Sequence, residues 1–151
     1  MFFGKFKRIK SFSKSLVYTI GTFHILTYYL VDATLTKGPS MSPEISDSGT
    51  LVLYMRPYLI SKLREGQELY RKNDVVISTS PLNPNKRICK RIVGVPYETI
   101  HNITIPQGHF WLQGDNRENS LDSRHYGAIS SGLFQGIVFL IASKENGVKL
   151  I

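Results

Sequence analysis

The segment 38–43 (GPSMSP) contains a serine whose surroundings suit nucleophilic chemistry. Ser40 directly follows one proline, and a second proline lies three residues further on. Proline restricts its own backbone and that of the preceding residue, so we expect a stiff, non-helical stretch that presents the Ser40 hydroxyl and amide N–H to a cleft. Gly, Pro and Ser are also ordinary loop residues, so the segment alone does not establish a nucleophile.

A lysine in the segment 87–95 (RICKRIVGV) is the second candidate. In a strand, Lys90 shares a face with Ile88 and Ile92. If that face is buried, desolvation lowers the pKa of the Lys90 ammonium below its ordinary value of about 10.4 and yields a neutral amine that can act as a general base for a serine hydroxyl. A solvated lysine on an edge strand is the alternative for this segment taken alone.

The third segment is the polar stretch 113–127. Its Gly-Asp-Asn start is typical of a turn. Asp122 and Arg124 are two residues apart and would share one face of an extended segment, so they are expected to pair and to hold the loop in place. Ser120 supplies a small hydroxyl that can exchange a hydrogen bond with a nearby amine. Without the other segments, this stretch indicates only an ordered loop.

Histidine and cysteine chemistry is not indicated. His101, His109 and His125 lack the spacing of metal ligands, and no Gly-x-Ser-x-Gly motif is present, so we interpret them as structural or surface residues. The chain has a single cysteine, which excludes an intramolecular disulfide and a cysteine-based zinc cluster.

These candidates must be positioned by a β-rich body spanning residues 32–151. Short runs rich in β-branched residues alternate with Pro, Asn and Gly turns, and no long amphipathic helix is evident there. We therefore expect a compact, mainly β, mostly antiparallel domain that is partly barrel-like. The predicted strands are Thr50–Tyr54, Val75–Thr79, Arg87–Val95, Thr99–Ile103, Phe110–Leu112 and Gly136–Ile141.

The N-terminal region has a different character. Residues 1–15 interleave Lys and Arg with Phe and Ile at helical intervals, which predicts a basic amphipathic targeting segment. Residues 16–31 carry no Asp, Glu, Lys or Arg, and as a helix they would extend about 24 Å, against a hydrocarbon core of about 30 Å. We expect a transmembrane or membrane-anchoring segment with its basic end in the matrix or cytoplasm. The alternatives are a cleaved leader, for which no small-residue cleavage site closes the run, and a buried helix of a soluble protein.

The charge distribution supports this division. The 151 residues carry a net charge of +8, of which residues 1–31 contribute five uncompensated cations. The body contains 14 basic and 11 acidic residues and lacks an aromatic-basic stripe, so a nucleic-acid partner is not expected. The length suits one domain with an appendage and excludes a large multidomain enzyme.

The order and spacing of these features resemble the type I signal peptidase family, peptidase S26. The short length, the Gly-Pro-Ser-Met form, the Ile-Cys-Lys-Arg form and the lack of an inserted second β domain look most like the subunit 1 type of mitochondrial inner membrane protease. The matching motifs are Ser40-Met41-Ser42-Pro43, Lys90-Arg91-Ile92-Val93-Gly94, Gly114-Asp115-Asn116, and Ser120 with Asp122, Ser123 and Arg124.

The resemblance implies a membrane-bound serine endopeptidase with a Ser-Lys dyad and no metal or organic cofactor. Ser40 matches the nucleophile, its backbone N–H matches part of the oxyanion hole, and Lys90 matches the general base. The supporting positions match Ser120, which would orient the lysine, Asp122 and Arg124 as an ion pair, and Asp115 and Asn116 as the loop that shapes the site.

Two departures from the family pattern affect the substrate side of the site. Many bacterial members have a serine two residues before the nucleophile that completes the oxyanion hole, whereas this chain has Gly38, so a second donor is needed from elsewhere. The second departure is the sequence Ser42-Pro43-Glu44-Ile45, because many family members have Pro-Thr-Leu at this point.

The resemblance also implies partners and a location. The expected partners are precursor proteins with cleavable presequences, the lipid bilayer and a second, homologous protease subunit. The expected location is the mitochondrial inner membrane with the catalytic domain facing the intermembrane space. A bacterial-type peptidase at a plasma membrane would share the anchor, and a non-catalytic β module that supports a catalytic partner is the remaining alternative, although Ser40, Lys90 and Ser120 are all present.

Overall fold

The computed structural model describes residues 2–46, 49–144 and 147–151, and for residues 2–13 it describes the backbone alone. The chain begins with helix α1 (Phe2–Ile25), which continues as a π-helical turn (Leu26–Leu30). The body follows as β1 (Val31–Thr36), a 3-10 turn (Pro39–Met41), β2 (Thr50–Met55), α2 (Pro57–Leu63), β3 (Val75–Ser80), β4 (Asn83–Gly94), β5 (Thr99–Ile100), β6 (Ile103–Thr104), β7 (His109–Gln113), α3 (Ser123–Tyr126), β8 (Ile129–Ser130), a 3-10 turn (Ser131–Leu133), β9 (Phe134–Ser143) and β10 (Gly147–Leu150).

The N-terminal segments form one helix, without a break between residues 15 and 16. Val31, which we assigned to the anchor, belongs to strand β1 instead. The large apolar side chains of the second half of this helix, from Leu16 to Tyr29, are exposed to solvent. Within the described part of the chain, no helix has both the length and the apolar character required to cross a membrane.

The body is mainly antiparallel β structure, as expected. Eight strands form one sheet in the order β1-β2-β9-β3-β4-β7-β8, with β10 paired to β9, and β5 pairs with β6 in a small separate hairpin. Among the described residues β1 and β8 remain the two ends of the sheet, so the barrel-like closure that we expected is absent. The strand predicted at Thr99–Ile103 is wrong in its centre, because His101 and Asn102 have positive φ angles and turn the chain between β5 and β6.

Both faces of the central strands are buried, which explains their continuous apolar runs. Val75 and Ile77 of β3 belong to one core cluster, together with Met41 and Tyr54. Val76, between them, belongs to a second cluster on the opposite face of the sheet. This double burial makes β3 and β4 a rigid platform on which a functional side chain of β4 is held.

Candidate active site

Ser40 lies in the 3-10 turn that follows β1. Gly38 precedes the turn with a φ of 110°, a conformation that L side chains rarely adopt. Met41 is 2% exposed and joins the first core cluster, so the residue after Ser40 fixes the turn to the core. The expectation of a non-helical segment is therefore wrong for Pro39–Met41, which form the 3-10 turn. The expected stiffness of the segment has three sources: the proline, the buried Met41 side chain, and a hydrogen bond of 3.1 Å from the Ser42 N–H to the Pro39 carbonyl.

The loop after β7 approaches the Ser40 backbone closely. The Asn116 N–H donates a hydrogen bond to the Ser40 carbonyl at 3.1 Å. A Cβ atom at Gly114 would lie 2.4 Å from the Ser40 carbonyl oxygen and 2.2 Å from the Ser120 hydroxyl oxygen, so only glycine permits this approach. The loop thus packs directly against the backbone of the candidate nucleophile.

Lys90 is buried on the face that the sequence pattern identified. It lies opposite Val76 in the pairing of β3 with β4, and Val76 and Ile92 both belong to the second core cluster. Only 4% of the Lys90 surface is exposed. Burial lowers the pKa of the Lys90 ammonium, and this effect outweighs the opposing attraction of nearby negative groups that include Asp122. A lysine in this environment is biased toward the neutral amine, the form that can accept a proton.

Ser40 and Lys90 line one open cleft of about 460 Å³. Its walls come from the segment before Ser40, from the β3–β4 hairpin and from the loop after β7. Three further cations, Lys37, Lys86 and Arg87, line the cleft, and none of its lining residues is acidic. The excess positive charge of the body is therefore concentrated around the candidate site.

Asp122 is the centre of a buried hydrogen-bond network beside the cleft. It is completely buried and accepts hydrogen bonds from the Ser120 hydroxyl at 2.7 Å, the Gly114 N–H at 3.0 Å and the Arg124 guanidinium at 2.8 and 2.9 Å. Burial by itself would raise the pKa of Asp122, but the hydrogen bonds from Arg124, Ser120 and Gly114 outweigh it and hold the pKa well below its ordinary value. The predicted Asp122–Arg124 pair is present, with Arg124 bidentate.

Ser120 contacts Asp122, and no hydrogen bond joins it to Lys90 in the described structure. Its single hydroxyl proton is donated to Asp122, which leaves its oxygen lone pairs free to accept from an ammonium or amine. Ser120 is 6% exposed. Its assignment as the residue that orients Lys90 stays a prediction, and the structure supplies the reason for its fixed rotamer.

Asp115 has a partner that the sequence patterns did not identify. Arg91 binds it through two hydrogen bonds of 2.8 and 2.7 Å, and the same guanidinium donates to the Asn73 carbonyl at 3.1 Å. Arg91 points away from Lys90 because successive strand residues face opposite sides. The pair joins the loop after β7 to β4, and because its two members are 24 residues apart, no local spacing pattern in the sequence indicates it.

Tyr126 lines the cleft and was not identified from the sequence. Its hydroxyl is buried, and among the described residues it is the one buried side-chain polar atom without a hydrogen-bond partner. Burial, with a contribution from the Asp122 charge, raises the pKa of Tyr126 to about 12, so the hydroxyl remains protonated at neutral pH.

The three histidines of the body lie outside the cleft lining. His101 faces Trp111, His109 contacts the Gln107 carbonyl, and the His125 ring accepts a long hydrogen bond from the Asp122 N–H. Within the described ranges no three His, Cys, Asp or Glu side chains cluster in a way that would hold a metal ion. Cys89, next to Lys90, is buried, and burial raises the pKa of its thiol to about 12.

Comparison with known proteins identifies the family. The family model described as signal peptidase, peptidase S26, matches residues 9–102 and 97–142. Mitochondrial inner membrane protease subunit 1 of Schizosaccharomyces pombe is 38% identical over 123 residues, which cover 76% of this chain and 75% of the relative. Subunit 1 of Saccharomyces cerevisiae is 32% identical over 149 residues, with 82% and 75% covered, and subunit 2 of the same yeast is 35% identical over 117 residues, with 71% and 65% covered.

A solved structure is also similar. A signal peptidase I from Enterococcus faecalis V583 covers 45% of this chain and 95% of its own length at 21% identity, with a TM-score of 0.39. That score is too low to bear on the site, so the assignment rests on the sequence matches. The names of the relatives support a location at the mitochondrial inner membrane. The chain therefore belongs to the signal peptidase family, peptidase S26, and is a serine-type peptidase.

Proposed function

We propose that the chain is a membrane-anchored endopeptidase that cleaves presequences from precursor proteins through a Ser40–Lys90 dyad. The observation that carries the proposal is the position of both residues in one cleft, with Lys90 only 4% exposed on the sheet face that it shares with Val76 and Ile92. A buried lysine without an ion-pair partner is costly to keep charged, and a neutral amine beside a serine hydroxyl is the arrangement that nucleophilic catalysis needs.

The reaction proceeds in two halves. The neutral Lys90 amine accepts the Ser40 hydroxyl proton while the Ser40 oxygen attacks the scissile carbonyl carbon. The Ser40 N–H donates to the developing oxyanion, and the lysine then gives its proton to the departing amine, which leaves an acyl-enzyme on Ser40. In the second half Lys90 accepts a proton from water, the water oxygen attacks the acyl carbon, and Ser40 regains its proton as the new carboxyl terminus departs. No cofactor is required.

The loop after β7 supports the dyad by holding the cleft in shape. Asp122 accepts a hydrogen bond from the Ser120 hydroxyl, and the Asn116 N–H donates one to the Ser40 carbonyl. Because the Ser120 oxygen is left with free lone pairs, it can orient the Lys90 amine toward Ser40. Asp122, through Arg124 and Ser120, keeps this arrangement rigid rather than taking part in proton transfer.

Two surfaces support contact with a bilayer. The first is the exposed apolar side of α1 and its π-helical turn. The second is the outward face of the sheet at β1, β2, β9 and β10, where cross-strand partners form two rows without a charged side chain. We call it the apolar sheet face, and its members are Ala33, Leu35, Leu51, Leu53, Leu140, Ala142, Val148 and Leu150. An aliphatic face of this size beside an apolar helix fits a lipid surface.

The orientation and the partner follow from the charge pattern and the relatives. The five cations of residues 1–31 favour a matrix location for the N-terminus, which directs residues 32–151 to the intermembrane space. The relatives include both subunit 1 and subunit 2 proteins, which supports assembly with a second homologous subunit. Protease treatment of intact mitochondria and of mitoplasts tests the orientation: the body should become digestible only when the outer membrane is opened.

The dyad is tested by processing of a presequence-bearing precursor in detergent or proteoliposomes. Ser40→Ala and Lys90→Met should each reduce the rate on the order of 10³-fold, because the nucleophile and its base act as one unit. Ser61→Ala and Lys62→Met, at exposed positions of α2, are the matched controls and should process normally. Normal processing by either dyad variant would refute the assignment, and residual processing that requires a second subunit would assign the chemistry to that subunit.

A further inference from the structure

The junction between the N-terminal helix and the catalytic body contains no linker. The π-helical turn ends at Leu30 and β1 begins at Val31, so the chain passes from helix to strand in one residue. The Val31 N–H still donates to the Leu26 carbonyl, although its φ and ψ angles of −135° and 141° are those of a strand. A flexible linker would let the body move freely relative to the helix, and no such linker lies between Leu30 and Val31.

Arg56 binds the end of the helix from the opposite side of the junction. It lies between β2 and α2, and its backbone N–H donates to the Leu30 carbonyl at 2.8 Å. Its guanidinium donates through Nε to the Thr27 carbonyl at 3.1 Å and through Nη2 to Asp32 Oδ2 at 2.7 Å. One residue therefore holds two carbonyls of the last helical turn and the carboxylate that follows it. A cation at this end also complements the helix dipole.

Asp32 connects the same contacts to the interior of the body. Tyr54, its cross-strand partner on β2, is completely buried and donates its hydroxyl proton to Asp32 Oδ2 at 2.8 Å. Burial and this hydrogen bond raise the pKa of Tyr54 to about 12. Arg87, which lines the active-site cleft, donates to the Tyr54 oxygen at 3.5 Å. A continuous chain of polar contacts thus runs from the helix end to the cleft.

An aromatic contact adds a second attachment beside the first. Tyr29 of the π-helical turn packs edge-to-face against Tyr58 of α2, with ring centroids 6.0 Å apart and an interplanar angle of 69°. Both rings remain partly exposed, with relative exposures of 48% and 53%. The helix end is therefore attached to the segment 56–58 at two places, through the Arg56 hydrogen bonds and through the Tyr29–Tyr58 ring contact.

We infer that this helix brace, formed by Thr27, Asp32, Tyr54 and Arg56, acts as a positioning device that holds the cleft at one distance and orientation relative to the membrane. Ser40 is ten residues after Leu30, where the helix ends, so the nucleophile lies at most about 35 Å from the helix end. A precursor held in the same membrane then presents only those peptide bonds that lie at the matching height. The inference rests on the proposed function, because it requires an anchored enzyme and a tethered substrate.

The brace should matter for a membrane-tethered substrate because it raises the effective concentration of the cleft at the substrate backbone. When enzyme and substrate share a membrane, a rigid junction keeps the cleft near the substrate backbone in the correct orientation, whereas a flexible junction spreads the cleft over many heights and angles. Loss of the brace should leave the chemistry intact and reduce only the productive encounters with tethered substrate. A short soluble peptide diffuses to the cleft in any orientation and should not detect the change.

The test compares two substrates with the same cleavage segment, a membrane-tethered precursor and a soluble peptide, using the full chain in proteoliposomes. Arg56→Ala should lower kcat/KM for the tethered precursor on the order of tenfold and leave the peptide within about twofold. N-terminal sequencing should also show additional cleavage positions. Arg56→Lys keeps the cation but loses the forked donors of the guanidinium, so its kcat/KM for the tethered precursor should lie between those of the wild type and Arg56→Ala.

A matched control is available elsewhere in the body. Arg64 and Asp74 form a pair with side-chain exposures of 20% and 14%, similar to the 27% and 23% of Arg56 and Asp32, and the Arg64 contacts lie within the body. Arg64→Ala should not separate the two substrates. A three-residue Gly-Ser insertion after Leu30, which keeps Arg56, should reproduce the effect of Arg56→Ala.

Three results would overturn the inference: equal loss on both substrates, no loss on the tethered precursor, or the same substrate separation in Arg64→Ala. A thermal unfolding scan of each variant distinguishes a misfolded body, which loses the peptide activity as well. A different result would refute the proposed function: Ser40→Ala would retain activity on the soluble peptide, independently of how the brace variants behave.

Discussion

Replacement of Lys90 by methionine should lower activity on the order of 10³-fold and yet stabilise the protein, an uncommon combination. Lys90 is 4% exposed and faces Val76 and Ile92, and burial lowers its pKa. Each unit of that lowering corresponds to about 1.4 kcal/mol of folding free energy at pH values where the lysine is charged in both states. Methionine keeps approximately the length of the side chain and removes the buried charge.

The pH dependence of stability checks the sign of the predicted difference in unfolding free energy between the wild type and Lys90→Met. Between the folded pKa and the unfolded value of about 10.4, the unfolded chain holds a proton that the folded chain does not. The wild-type protein therefore gains stability as pH rises through this window, with a slope of up to about 1.4 kcal/mol per pH unit relative to Lys90→Met. Below the folded pKa the advantage of the methionine variant is largest and constant, and above pH 10.4 it is smallest.

The assay is urea unfolding of both proteins in the same detergent from pH 6 to 11, beside the pH dependence of kcat/KM for the wild type. Activity requires the neutral amine, so it should fall as pH drops through the folded pKa of Lys90. The pKa from the stability difference and the pKa from the kinetics should agree. A stability difference that does not change with pH, or two pKa values that disagree, would refute the reasoning.

Three further predictions concern the structure around the dyad. Asp122→Asn should cost about 1–3 kcal/mol of unfolding free energy by urea titration, because the buried Ser120 hydroxyl and Gly114 N–H lose their carboxylate acceptor, and the wild-type contribution should decrease progressively as pH falls from about 4 toward the lower folded pKa of Asp122. Gly114→Ala should cost about 1–3 kcal/mol and most of the activity, since its Cβ would lie 2.4 Å from the Ser40 carbonyl, whereas Gly132→Ala, with its nearest contact at 3.5 Å, should be tolerated in the same assays. The Cys89 thiol should not react with an aromatic disulfide reagent in the native protein and should react fully in urea, measured by absorbance, because it is buried and its pKa is raised to about 12.

The strand segments were largely predictable because their residue types have a local cause. Alternating β-branched residues bounded by turn formers located β2, β3, β7 and much of β4 and β9. The two errors at element ends have local causes as well. Strand β4 begins at Asn83, four residues before the predicted start at Arg87; of these four residues only Asn83 has a register partner on β3, Ser80, because the register shifts between Thr79 and Ser80. Strand β1 follows the apolar helix directly, with no residue between Leu30 and Val31, so no turn signal in the sequence marks where it begins.

The candidate site was predictable as a set of residues but not as an arrangement. Strand periodicity placed Lys90 with Ile88 and Ile92, and the burial of that face depends on the second core cluster, which gathers residues from Ile60 to Ile137. The Asp122–Arg124 pair follows from a spacing of two residues, and the structure confirms it. The Arg91–Asp115 pair spans 24 residues, and no periodic pattern indicates a partner at that separation.

Residue chemistry and local conformation could be read from the chain alone: the serine in its proline-bounded turn, the lysine between isoleucines, the uncharged run behind five cations, and the alternation of the strands. These depend on interactions between neighbours in sequence, which composition and spacing express directly. The tertiary structure decided which faces are buried and that the Ser120 hydroxyl donates a hydrogen bond to Asp122. It also decided that Arg56 binds the carbonyl of Thr27, 29 residues earlier in the chain. Such contacts depend on how distant segments pack, and a strand's period of two is the same whichever face the fold turns inward.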